Sequence, residues 1–155
     1  MRNWTLIPGL IFFLLAFASA AADAGPCSLV TAAEVQAATG VAVAEGKVNS
    51  INKQVCDYKA SAAGSLINLM LTDKGPGDSA EKTVAELAKR RLKAEVAAGI
   101  GDGAYRSSPG YGMQQMGAYK GTKHVVVTAL LAGAPEAKTK AAIEAVMRKA
   151  LARVQ

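Results

Sequence analysis

Apolar and polar positions alternate along this chain in several distinct rhythms, and each rhythm predicts a different element. The first is an apolar run at 6–17, interrupted early by Pro8-Gly9, preceded by Arg2 and followed by Ala18-Ser19-Ala20-Ala21-Ala22. A basic start, an apolar middle and a small-residue end are the parts of an export leader, expected at 1–20 with cleavage within Ala20–Ala24. The uninterrupted apolar part, 10–17, is far shorter than the roughly 20 residues of a bilayer span, so the leader is expected to be removed and not kept as an anchor.

The second rhythm is helical. Thr31-Ala32-Ala33-Glu34 is a capping box and predicts a helix through Thr39 that Gly40 ends. Asp78 and Ser79 follow a Gly75-Pro76-Gly77 break, and Val84, Leu87, Ala88, Leu92 and Val96 recur at helical spacing, which predicts a second helix to about Ala98. Pro135 opens a third, to about Arg153, with Ile143, Val146, Met147, Ala150, Leu151 and Val154 on one stripe.

The third rhythm has period two. Segments 54–60 and 66–73 flank Ala62-Ala63-Gly64 and predict a hairpin in which Ile67, Leu69 and Leu71 face one way and Asn68, Met70 and Thr72 the other. Strands are also expected at 113–120 and 123–131, joined by Gly121-Thr122, and a short one near 104–106 within a glycine-rich, turn-like segment at 99–112.

Laid over one another, the halves suggest a duplicated β-β-α unit, because Val84, Leu87 and Leu92 fall 59 residues before Ile143, Val146 and Leu151. The same offset sets Ile67, Leu69 and Leu71 on Val126, Thr128 and Leu130, whereas the more apolar face of the later strand is Val125, Val127, Ala129 and Leu131. Either the register slips by one, or the later strand is central and covered on both faces. The expected fold is α+β: an antiparallel sheet of about five strands, both long helices on one face, and the N-terminal helix tied to its edge. Residues 21–155 are expected to form that single domain, and the face carrying Asn68, Met70 and Gln115 is expected to stay partly open.

Composition changes this picture in two respects. The whole chain carries a net +6, and loss of Arg2 with the leader leaves 17 bases against 12 acids, a net +5. That mild excess suits a solubilising surface and also an anionic envelope polymer as partner. The two cysteines, Cys27 and Cys56, are expected to pair, since exported chains meet oxidising conditions. Such a bridge closes a loop of about 30 residues, worth roughly 3–4 kcal/mol in the loop-entropy description. Acylation of Cys27 is disfavoured by Pro26 directly before it.

Little chemistry survives inspection of the motifs. His124 is the only histidine, so any triad or general base rests on it, and no nucleophile elbow surrounds a serine. With both thiols committed, one nitrogen ligand is too few for zinc, and Asp78 and Asp102 lack the alternating oxygens of a calcium loop. Gly99-x-Gly101-x-Gly103 follows a helix instead of a strand, unlike a phosphate-cradling loop, and reads as a turn. No cofactor is expected. Lys89-Arg90-Arg91 with Lys93 suits a helix C-terminus, and export argues against nucleic acid as a target.

The residues Cys27-Ser28-Leu29-Val30-Thr31, then Cys56-Asp57-Tyr58, then Gly101-Asp102-Gly103-Ala104-Tyr105, followed by a hairpin and a terminal helix, resemble a broad group of small bacterial envelope proteins. Many of those are lipoproteins, and this chain departs from them in lacking an acylation site. The resemblance implies export, a disulfide and an α+β fold, and it implies no activity. The expected function is a non-catalytic periplasmic or secreted binding or accessory module with an envelope protein or anionic envelope polymer as partner. Its candidate surfaces are the sheet face of Asn68, Met70 and Gln115 and the loop of Gly101, Asp102, Gly103, Tyr105 and Tyr111. The alternative is a small periplasmic hydrolase built on His124 and carboxylates.

Overall fold

The structure, a computed structural model, describes residues 25–155; the leader at 1–20 and its cleavage region lie outside the described residues. A 3-10 turn at Pro26–Ser28 leads to helix α1 (Ala32–Thr39), followed by strands β1 (Lys47–Val48), β2 (Val55–Tyr58) and β3 (Leu66–Asp73). Helix α2 (Ala80–Lys89) precedes strands β4 (Lys93–Ala97), β5 (Gly103–Gly110), β6 (Met113–Lys120) and β7 (Lys123–Leu130), and helix α3 (Glu136–Arg153) ends the fold. The strands form one antiparallel sheet in the order β1-β2-β3-β7-β6-β5-β4.

All five expected strands are present, and the two that sequence reading missed, β1 and β4, are the two edges. β1 has only two residues and leaves no periodic signal. β4 was expected to be the last turns of a helix reaching Ala98. Instead α2 stops at Lys89, the Leu87 carbonyl accepts from both Arg90 and Leu92 N–H, and Arg91 turns into the left-handed region at φ 59°. The chain then pairs residue for residue with β5, Lys93 opposite Ser108 through Ala97 opposite Ala104. Lys, Ala and Glu favour a helix locally, and pairing with a waiting strand overrides that preference.

The segment at 99–112 is also more ordered than its glycines suggested, since β5 spans eight residues of it. Left-handed backbone is confined to its two ends, at Gly99 and Gly101 and at Gly110, Tyr111 and Gly112.

Helices lie on both faces of the sheet, which corrects the expectation of two on one face. Ala104, Met116, Ala118, Val125, Val127, Ile67 and Leu69 point into the main core with Ile143, Val146, Met147 and Ala150 of α3. Tyr105 and Tyr119, each next in sequence to one of those alanines, point the other way and pack against Ala80, Val84 and Leu87 of α2. Successive strand residues face opposite sides, so α3 and α2 cover opposite faces.

The β3–β7 register pairs even with even residues, Asn68 with Thr128 and Met70 with Val126, so residues 59 apart in these two strands lie on opposite faces of the sheet. β7 is central, and Val125 to Ala129, which project to both faces, are all buried.

On the α3 face the N-terminus completes the lid. Leu29, Val30 and Val35 join the main core, and Cys27 is bonded to the fully buried Cys56 of β2. The Tyr58 hydroxyl donates to the Val30 carbonyl at 2.6 Å, fastening the same segment a second time. Burial of this phenol pushes its pKa up to about 12.

Candidate functional site

Among the described residues, helix covers the face that carries α2 over only part of its width. α2 packs on β4, β5 and β6, and among the described residues no helix lies on this face over β2 or over the parts of β3 and β7 beyond Thr72 and His124. The side chains on this face stand in cross-strand rows, because directly paired residues project together.

The row under α2 holds Tyr119, His124 and Thr72, in register across β6, β7 and β3. His124 stacks on the Tyr119 ring at 4.4 Å between centroids, and its Nε2 lies 3.2 Å from the Tyr105 hydroxyl. The Tyr119 hydroxyl is 2.8 Å from Thr83 Oγ1 of α2, and Lys74 Nζ sits 5.4 Å from the centre of the Tyr119 ring. Burial lowers the imidazole pKa below 6.5, partly offset by Asp78, and raises that of Tyr105. Gly117, paired with Tyr105, makes this packing attainable: a Cβ there would lie 2.3 Å from the Tyr105 ring.

Next comes the row Val96, Tyr105, Gly117, Val126, Met70 and Val55, and then a polar one: Ala94, Ser107, Gln115, Thr128, Asn68 and Asp57. Ser107 Oγ donates to Gln115 Oε1 at 3.2 Å, and Gln115 Nε2 donates to Thr128 Oγ1 at 3.0 Å. Asp57 accepts from Asn49 Nδ2 at 2.6 Å. Between these two linked pieces, the half-buried Asn68 makes no side-chain hydrogen bond among the described residues. The last row is apolar, Leu66 opposite Leu130, with Leu66 42% exposed. Asn68 thus presents an unpaired carboxamide between Met70 on one side and Leu66 on the other.

No protein-family model, curated protein or solved structure matches this chain. Its site therefore has to be read from its own residues.

The sheet-face candidates fall together. Asn68, Met70 and Gln115 are half-buried neighbours on the one face. The loop candidates do not. Gly101, Asp102 and Gly103 stand at one end of β5, where the Asp102 carboxylate accepts from Gly121 N–H at 2.6 Å and its own N–H donates to the Tyr119 carbonyl at 2.8 Å. That turn braces the β6–β7 turn. Tyr105 is only 4% exposed, beneath α2. Tyr111 is at the far end of the strand, about 25 Å along an extended chain, and is 95% exposed. It neighbours the apolar row, since Gly112 approaches Leu130.

Sequence reading missed Val55, Leu66, Val126, Thr128 and Leu130 as members of this face. The alternation in 66–73 was the available signal for Leu66; Val126, Thr128 and Leu130 required knowledge that β7 lies between β3 and β6, and Val55 required the β2–β3 register. Among the described residues no group of three or more His, Cys, Asp or Glu side chains is placed to hold a metal ion, and no helix is long and apolar enough to cross a membrane.

Proposed function

We propose that this chain is an exported, non-catalytic binding or accessory module of the bacterial envelope that holds a protein partner on the uncovered part of its sheet. The observation that carries the reading is the unpaired Asn68 carboxamide set among Met70, Leu66, Val55 and Leu130 on a part of the sheet that no helix covers among the described residues. Apolar surface with a few placed polar groups is the composition of a protein contact. An anionic polymer suits it less well, because Lys47 and Asp57, paired with each other at the sheet edge, put charges of both signs on this face. The Cys27–Cys56 bond is consistent with an oxidising compartment, and the leader pattern and the envelope-protein resemblance point the same way.

The hydrolase alternative asks His124 to act as a general base oriented by a carboxylate. Here the ring is engaged by two tyrosines beneath α2, and Asp78 acts on it only through space. That favours a packing role.

Affinity capture from envelope extract with the exported protein tests the proposal. Met70→Glu and Asn68→Lys should each cut recovery of the partner by about tenfold or more, while Lys149→Glu on the opposite face leaves it unchanged. Equal recovery with wild type and both face variants would overturn the reading.

A further inference from the structure

The two edges of the sheet differ in kind. β1 offers two residues, too few to template another strand. β4 offers five, Lys93-Ala94-Glu95-Val96-Ala97, with β5 on one side and, among the described residues, no strand on the other. Lys93, Glu95 and Val96 are exposed, Val96 at 47%. Neither Lys93 nor Glu95 makes a hydrogen bond or ion pair among the described residues; Glu136 of α3 feels Lys93 through space while pairing with Lys140.

An edge carrying isolated charges repels most incoming strands. This one has a self-complementary order. Two copies related by a two-fold axis normal to the sheet pair antiparallel, and the axis must pass through a residue so that paired side chains share a face. With the axis at Ala94, Lys93 of each copy stands opposite Glu95 of the other, twice, on the α3 face. On the α2 face Ala94 meets its counterpart, and the exposed Val96 meets the second copy's Leu92, itself half-buried. The neighbouring registers fail: an axis at Glu95 opposes two carboxylates, and one at Lys93 opposes two ammonium groups, each unfavourable directly across a ladder.

We infer that the β4 edge is a self-association surface, by which two copies of this chain join antiparallel about Ala94 into one continuous sheet of fourteen strands. This goes beyond the partner face, which lies over β2, β3 and β7 and stays free on the outer parts of each copy.

Sedimentation velocity on the exported, disulfide-bonded protein tests it through charge reversal. The wild type should associate as its concentration rises towards about 100 µM, and Lys93→Glu and Glu95→Lys should each weaken association by about tenfold or more, since each sets like charges opposite at two places. An equimolar mixture of these two variants should form mixed dimers, and the double variant Lys93→Glu/Glu95→Lys should associate like the wild type. Both positions are exposed, and unchanged circular dichroism and melting of the single variants would show that they are folded. A wild type that stays monomeric throughout, single variants that associate as well as it does, or a mixture of them that stays monomeric would each overturn the inference. Capture of the face partner by Glu95→Lys separates this outcome from failure of the partner site.

Discussion

Gly117 carries more of the architecture than its size suggests. Its missing side chain is the space into which the Tyr105 ring folds, and that ring in turn reaches His124. Gly117→Ala forces the ring out, and overfilling of this kind typically costs about 1–3 kcal/mol, read as a lower denaturant midpoint at an unchanged slope. His124 couples the same cluster to pH. Its folded pKa lies below 6.5 because burial disfavours the imidazolium, so the unfolded chain takes up the proton first. Stability from this group is complete above pH of about 6.5 and declines as the pH falls through that value towards the lower folded pKa. Urea unfolding of His124→Gln should show a shallower loss of stability than wild type on acidification from pH 7 to 5; parallel curves would contradict this. None of this was visible in the sequence, where His124 was simply a lone histidine at the start of a strand.

At the scale of elements, legibility followed the strength of local signals. The α1 boundaries were readable because the capping box is chemically explicit: Thr31 Oγ1 accepts from Glu34 N–H at 3.3 Å, and Glu34 accepts from Thr31 N–H at 3.0 Å. The structure adds a role the sequence could not show. Arg153, at the end of α3, donates to both Glu34 oxygens and to the Leu29 carbonyl, each at 2.9 Å. Foremost through Arg153, then through the Thr31 backbone, the Glu34 carboxyl is held down at about 2. Thr31→Ala removes one cap interaction and should lower stability by about 1 kcal/mol, measured by thermal unfolding; no change would mean that Arg153 alone holds the helix start. The α2–β4 region failed in the opposite sense, because its helix-forming residues were recruited by β5, a partner remote from the local pattern.

For the whole molecule, the decisive information was which strand lies beside which. Alternation in 66–73 separated the core face of Ile67 and Leu69 from the face of Asn68 and Met70, and Gln115 was rightly set with the latter. What covers each face depends on where the crossovers go, and here they put the two long helices on opposite sides. The 99–112 loop dissolved as a site for the same reason: pairing with β4 and β6 made most of it a strand and separated Gly101 from Tyr111. The surface that remains is bounded by α2 on one side and the β1 edge on the other, on a frame closed by the Cys27–Cys56 bond. Site-directed photo-crosslinking in intact cells tests that surface most directly. A photoactivatable residue in place of Met70 or Asn68 should yield one discrete protein adduct, while the same group in place of Glu81 or Lys149 yields none. Adducts from the α2 or α3 positions, with none from positions 68 and 70, would contradict the account.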